Sequence, residues 1–227
     1  WRPGRADKMA KVIDHVLALL PFEPPYMERA GMECDFVGHP VASEPQATEV
    51  ELKAFRDTYD LGDAPLLLAL PGSRRGEVDR LAPVFGEALS LYLKTRPETR
   101  VVVPAVAHMV DAVSEHLRNW PGSPVVVDPR DLPSDQAVAQ KRAAFAAADL
   151  ALAASGTVSL ELAAQATPMV IGYNLNWLTT LIAKRMVHLD TVTLVNLVSD
   201  TRTVPECLLD DCQPDRIAEA LEHVAEQ

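Results

Sequence analysis

Residues 66–77 read Leu66-Leu67-Leu68-Ala69-Leu70-Pro71-Gly72-Ser73-Arg74-Arg75-Gly76-Glu77. The first five are an unbroken apolar run stopped by Pro71 and Gly72, the pattern of a short strand buried on both faces. After the break Val78, Leu81, Ala82, Phe85, Leu89 and Tyr92 recur at helical spacing. Strand, glycine turn and amphipathic helix in that order make the first half of a βαβ unit.

The same alternation continues toward the C-terminus. Arg100 to Val103, Pro124 to Val127, Leu150 to Ala153 and Met169 to Ile171 read as strands. Ala107 to Leu117, Gln136 to Ala147, Thr157 to Ala166 and Asp215 to Ala225 read as helices. Strands this short and this apolar belong in a parallel sheet covered by helices, so the predicted fold class is α/β with a Rossmann-like domain. Toward the N-terminus, Asp14 to Leu20 and Asp35 to Val37 look like two more strands around a helix from Pro24 to Ala30. The segment Val41 to Thr48 has linker composition, which places a boundary near residue 41 and divides the chain into 1–41 and 42–227. The first stretch is too short for a core of its own and is expected to be the tail of a separate N-terminal domain. The opening Trp1-Arg2-Pro3-Gly4-Arg5 has neither an initiator Met nor a signal pattern, so the chain is expected to begin inside a larger gene product.

Bulk properties narrow the function. The 227 residues are 48% hydrophobic and 23% charged, an ordinary soluble composition. A formal net charge of −11 and the lack of any basic-aromatic stripe exclude general nucleic-acid binding, although a few local arginines can still hold one small anion. Cys34, Cys207 and Cys212 are odd in number without CxxC spacing, which indicates neither a disulfide framework nor a zinc site and suits the cytosol. No apolar run approaches the roughly 18 to 20 residues that span a bilayer.

In an open α/β sheet, ligands bind beyond the carboxyl ends of the strands. Two loops there stand out. In the first, Gly72 lets the backbone turn toward a ligand, Ser73 can cap or donate, and Arg74 can pair with a phosphate at a helix N-terminus. The same residues also read as a plain strand-to-helix turn with solvated arginines. The second loop is Ala153-Ala154-Ser155-Gly156-Thr157, followed by Glu161 one turn into a helix. Amides of Gly156, Thr157 and Val158 can bind a diphosphate, and Glu161 can accept from the two hydroxyls of a ribose. Ser or Thr as a helix cap, with an acid in the first turn, explains this pattern equally well. His39, at the end of a predicted strand, reads as a hydrogen-bonded structural residue ahead of a catalyst, and Asn196, a polar residue inside an apolar run, as a turn residue or a ligand contact with nothing to choose between them.

The strings Trp1-Arg2-Pro3-Gly4-Arg5, Leu19-Leu20-Pro21-Phe22-Glu23-Pro24-Pro25-Tyr26, Phe36-Val37-Gly38-His39-Pro40, Leu70-Pro71-Gly72-Ser73-Arg74 and Ala154-Ser155-Gly156-Thr157 with Glu161 occur in this order, followed by Asn196-Leu197 and Val204-Pro205-Glu206. This set, over nearly the whole chain, resembles the lipid-A-disaccharide synthases. The resemblance implies a GT-B glycosyltransferase, with residues 42–227 as the UDP-sugar domain and 1–41 as the remnant of a partial second Rossmann-like domain that binds the acceptor. It implies inverting transfer from UDP-2,3-diacylglucosamine to 2,3-diacylglucosamine 1-phosphate, giving a β-1,6 disaccharide and UDP with no cofactor and no required metal. Matched motif by motif, Ser73 and Arg74 would contact phosphate beside Gly72. Ser155, Gly156 and Thr157 would form the diphosphate loop, Glu161 would take the ribose, and Asn196 would lie near the sugar or phosphate. The general base is expected in the N-terminal part beyond this chain, so the 227 residues alone are expected to be inactive. The same resemblance implies a cytoplasmic protein, peripheral on the inner membrane because both substrates are acylated, and leaves a homodimer open. Where this sequence has Asn174 and Val195, relatives commonly have a basic residue and a Pro. Alternatives of different class are another UDP-sugar enzyme of the same fold, such as a peptidoglycan glycosyltransferase or an epimerase, and a nucleotide-binding module without catalysis.

Overall fold

Within residues 66–70 the side chains alternate between two separate cores, as a strand with helices on both faces requires. The computed structural model describes residues 4–174 and 191–227. Trp1-Arg2-Pro3, quoted above for the resemblance, lies outside them. The chain divides into two compact units, one of residues 4–45 with 198–200, the other of 46–197 and 201–227.

The smaller unit holds α1 (Gly4–Met9), β1 (His15–Ala18), α2 (Pro24–Arg29) and β2 (Glu33–Phe36). Prolines in the first turn of α2 preset its backbone at no hydrogen-bond cost. The two strands pair in parallel, Leu17 against Asp35 and Ala18 against Phe36. Ala6, Met27 and Met32 bury a small cluster, so this stretch does form a core, though a minor one.

The larger unit contains α3 (Glu49–Thr58), β3 (Leu66–Leu70), α4 (Arg75–Thr95), β4 (Arg100–Pro104), α5 (Val110–Leu117), β5 (Val125–Val127), α6 (Ser134–Ala146), β6 (Leu150–Ala154), α7 (Val158–Ala164), β7 (Met169–Tyr173), the first four residues of α8 (Leu194–Ser199), β8 (Glu206–Leu208) and α9 (Pro214–Ala225). Six strands form one sheet in the order β5-β4-β3-β6-β7-β8, and every pairing is parallel. One face is covered by α4, α5 and α9, whose Phe85, Leu89, Val113, Ile217 and Leu221 pack on Leu67, Val101 and Leu152. The other is covered by α3, α6 and α7, whose Phe55, Phe145 and Leu162 pack on Leu68, Val102, Ala151 and Ile171. Each such side chain contributes roughly 1.5 to 3 kcal/mol by leaving water.

Three elements go beyond the sequence reading. Helix α3 starts at the end of the segment read as linker, where Thr48 and Glu51 cap each other's amides. Helix α8 falls in the apolar run around Asn196, and β8 extends the sheet by one strand. The helix expected over residues 157–166 stops at Ala164, because Ala166 turns to φ +58° and the Thr167 amide reaches back to the Leu162 carbonyl.

Candidate functional site

The site follows from the strand order. Leu70 at the end of β3 lies beside Ala153 of β6, yet α4 leaves toward one face of the sheet and α7 toward the other. The β3–α4 and β6–α7 loops therefore diverge from adjacent strand ends, and the crevice between such loops is where α/β sheets take ligands. These are the two loops singled out in the sequence.

In the first loop Gly72 has φ +129°, and a Cβ built there would stand 2.6 Å from Cβ of Glu77. Both the turn and the close approach require glycine. Glu77 lies beneath the turn and spends both carboxylate oxygens on it. One accepts from the Ser73 amide at 3.2 Å and the other from Nη1 of Arg74 at 2.9 Å. The Arg74 side chain is 79% exposed. Its backbone is the N-cap of α4 without a side-chain cap bond; the Arg74 carbonyl takes the Glu77 amide, and among the described residues no side chain caps the two amides before it at the start of this 21-residue helix. Arg75 differs, because its Nε bonds both oxygens of Asp79 at 3.1 and 3.0 Å. The hydrogen bond from His116, with that from Arg75, holds the Asp79 carboxyl below its ordinary range. His108, from the loop after β4, comes within 3.2 Å of the Ser73 carbonyl and supports the same turn as donor.

The second loop is not capped in the ordinary way. Ser155 donates its hydroxyl to the Val192 carbonyl at 3.2 Å, and Thr157, the N-cap of α7, makes no side-chain cap bond. The Gly156 carbonyl accepts from the Ser159 hydroxyl at 2.9 Å, and space is open where a Cβ of Gly156 would lie. Glu161 projects from the first turn of α7 and meets Nζ of Lys141 on α6 at 2.6 Å. Spacing gives no hint of Lys141, which lies twenty residues away on another helix.

Asn196 sits apart from the open loops. It is buried at 1% exposure, with Nδ2 donating to the Val204 carbonyl at 2.9 Å and Oδ1 accepting from the Val204 amide at 3.0 Å. Beside it Oε1 of Glu206 accepts from the Val192 and Thr193 amides at 3.0 and 2.9 Å and from the Thr193 hydroxyl at 2.6 Å. Burial alone would raise the Glu206 carboxyl. Hydrogen bonds from Thr191, Thr193 and the Val192 and Thr193 amides outweigh it and hold Glu206 below its ordinary range. Because Val192 is also the acceptor for Ser155, this clamp ties the start of β8 to the second loop. Glu206 was quoted in the motif series without a role. Its signal was an acid placed after Pro205 in an otherwise apolar stretch.

Two concavities among the described residues lie elsewhere, one of about 220 Å³ lined by Phe55, Tyr59 and Gln140 and one of about 490 Å³ lined by Tyr92, Glu219 and His223. Among the described residues no three His, Cys, Asp or Glu side chains are grouped as metal ligands. No described helix is long and apolar enough to cross a membrane.

Solved structures share this fold. The chain is similar to a putative UDP-N-acetylglucosamine 2-epimerase from Listeria monocytogenes, with a TM-score of 0.63 and 15% identity, over 96% of this chain and 53% of that one. It is similar to E. coli ADP-heptose LPS heptosyltransferase II, with a TM-score of 0.59 and 14% identity, over 94% and 63%. At such identity the likeness shows the fold, which is α/β of the GT-B class of glycosyltransferases and epimerases.

Sequence likeness goes further. The model of the family described as lipid-A-disaccharide synthetase matches residues 1–227. Lipid-A-disaccharide synthase of Ruegeria pomeroyi is 71% identical over 221 residues, 97% of this chain and 55% of that protein. The synthase of Rhodospirillum centenum is 45% identical over 225 residues, 99% and 54%. The chain belongs to the lipid-A-disaccharide synthetase family of glycosyltransferases. It spans about half the length of the curated relatives it matches.

Proposed function

We propose that residues 42–227 form the donor domain of an inverting glycosyltransferase that moves 2,3-diacylglucosamine from UDP to 2,3-diacylglucosamine 1-phosphate, releasing UDP. The observation that carries this is the pair of loops at the strand-order reversal, one with an outward Arg74 and an uncapped helix start, the other with the acceptor Glu161. In this reading the diphosphate lies between Gly72–Arg74 and Ser155–Thr157. Amide donors and the Arg74 guanidinium then stabilise the negative charge that grows on the departing UDP. Glu161 takes the ribose hydroxyls. Asn196 acts through the clamp that positions Ser155, without touching the nucleotide itself.

Family membership supports the disaccharide product ahead of epimerisation. Residues 1–41 are assigned to the acceptor-binding domain, and the general base to a part of the parent enzyme that this chain does not match. Acylated substrates call for peripheral attachment at the cytoplasmic face of the inner membrane. The test is the full-length enzyme carrying Arg74→Ala or Glu161→Ala, assayed for disaccharide 1-phosphate by mass spectrometry. The reading expects each change to lower kcat/KM by about tenfold or more. Unchanged turnover in both variants would contradict it.

A further inference from the structure

Resting on the reading of Glu161 as the ribose acceptor, we propose that Lys141 is a positioning residue that aims the Glu161 carboxylate and so sets the preference for ribose over deoxyribose. Lys141 belongs to the β5–β6 crossover helix α6, Glu161 to the following helix α7, and their 2.6 Å ion pair joins the two. The lysine is itself held, since its Nζ stands 5.7 Å from the ring centroid of Phe145, one turn further along α6 and buried at 3% exposure. Anchored in this way, the ammonium fixes a side chain that otherwise has three rotatable bonds.

The ammonium approaches Oε2. A carboxylate offers about four lone-pair positions, so acceptor capacity remains for ribose hydroxyls. Without the lysine, Glu161 must lose rotamer freedom when nucleotide binds, and the cost falls on the hydroxyl contacts alone. Both side chains keep some exposure, 48% for Lys141 and 24% for Glu161, so the site admits a ligand without unfolding either helix.

The experiment titrates UDP and 2′-deoxy-UDP into the 227-residue chain and its Lys141→Met and Lys141→Arg variants, with circular dichroism melts to confirm folding. Lys141→Met is expected to weaken UDP by about five- to tenfold while 2′-deoxy-UDP changes less than about twofold, and Lys141→Arg to restore most of the preference. In a Glu161→Ala background Lys141→Met should change the ratio no further. An equal loss for both nucleotides would show the lysine acting on phosphate and overturn the proposal. A preference kept in Lys141→Met would also overturn it, leaving the ribose reading of Glu161 intact. A parent chain that binds UDP without any ribose preference would overturn both.

Discussion

Glu77 pairs with Arg74 at 2.9 Å across three residues of α4, and the arginine stays 79% exposed while the glutamate is only 17% exposed. With the guanidinium this open to solvent the pair is worth no more than about 1 kcal/mol, so a diphosphate can take the guanidinium from Glu77 at modest cost. Arg75, bound through Nε to both oxygens of Asp79, is already committed. Arg74→Ala should therefore weaken UDP by about ten- to a hundredfold, the equivalent of a charge-assisted bond of roughly 1.5 to 3 kcal/mol. Arg75→Ala should change affinity by no more than about twofold. Equal losses on calorimetric titration would refute this division of labour.

The turn beneath Arg74 predicts a stability effect. Gly72→Ala adds a Cβ at φ +129° and 2.6 Å from Cβ of Glu77, so both the backbone and the helix start must shift. The expected loss is roughly 1 to 3 kcal/mol in urea unfolding. A midpoint equal to that of the parent chain would mean that the turn relaxes freely.

The clamp at residues 191–206 carries a pH dependence of definite sign. Glu206 is held below its ordinary range in the folded chain, so its contribution is complete above the unfolded value of about 4.3 and is lost as pH falls through the folded one. Glu206→Gln should unfold at lower urea than the parent at pH 7, and the gap should narrow toward pH 3. Asn196→Ala should cost roughly 1 to 3 kcal/mol at either pH, because it orphans both polar groups of Val204. A Glu206→Gln gap that widens toward acid would contradict the assignment.

Much of the fold was legible because its signals are local. The apolar runs at 66–70, 101–103 and 150–153 cannot be polar-faced strands, and each lies in a strand of the central sheet. Gly72 and Gly156 likewise marked loops from their sequence context alone. Helix α3 was missed although Thr48 and Glu51 spell a capping box, because Phe55 is its only fully buried side chain and the apolar periodicity is weak. Lys141 left no sign in the sequence, and Glu206 only that of an acid in an apolar stretch. Their meaning comes from partners brought close by the crossover α6 and by strand β8, and no spacing within one element encodes that. Asn196 was read as a turn residue or a ligand contact, and the structure spends its amide on Val204.

In the proposed reading, transfer takes place between two domains, and the chain spans about half the length of the relatives it matches. Incubated with diacylated donor and acceptor, the 227 residues should form no disaccharide while still binding UDP. Product detected by mass spectrometry from this chain alone would refute the placing of the general base elsewhere.

Whether the two loops hold a uridine diphosphate is read by isothermal titration of UDP, 2′-deoxy-UDP and UMP into the chain and its Glu161→Ala variant. The parent chain should prefer UDP to both other nucleotides. Glu161→Ala should erase the preference over 2′-deoxy-UDP, and the preference of UDP over UMP should survive in the variant because the phosphate contacts remain. A folded parent chain that binds UDP no better than UMP, with an unchanged ribose preference in Glu161→Ala, would show the loops to be ordinary strand-to-helix turns.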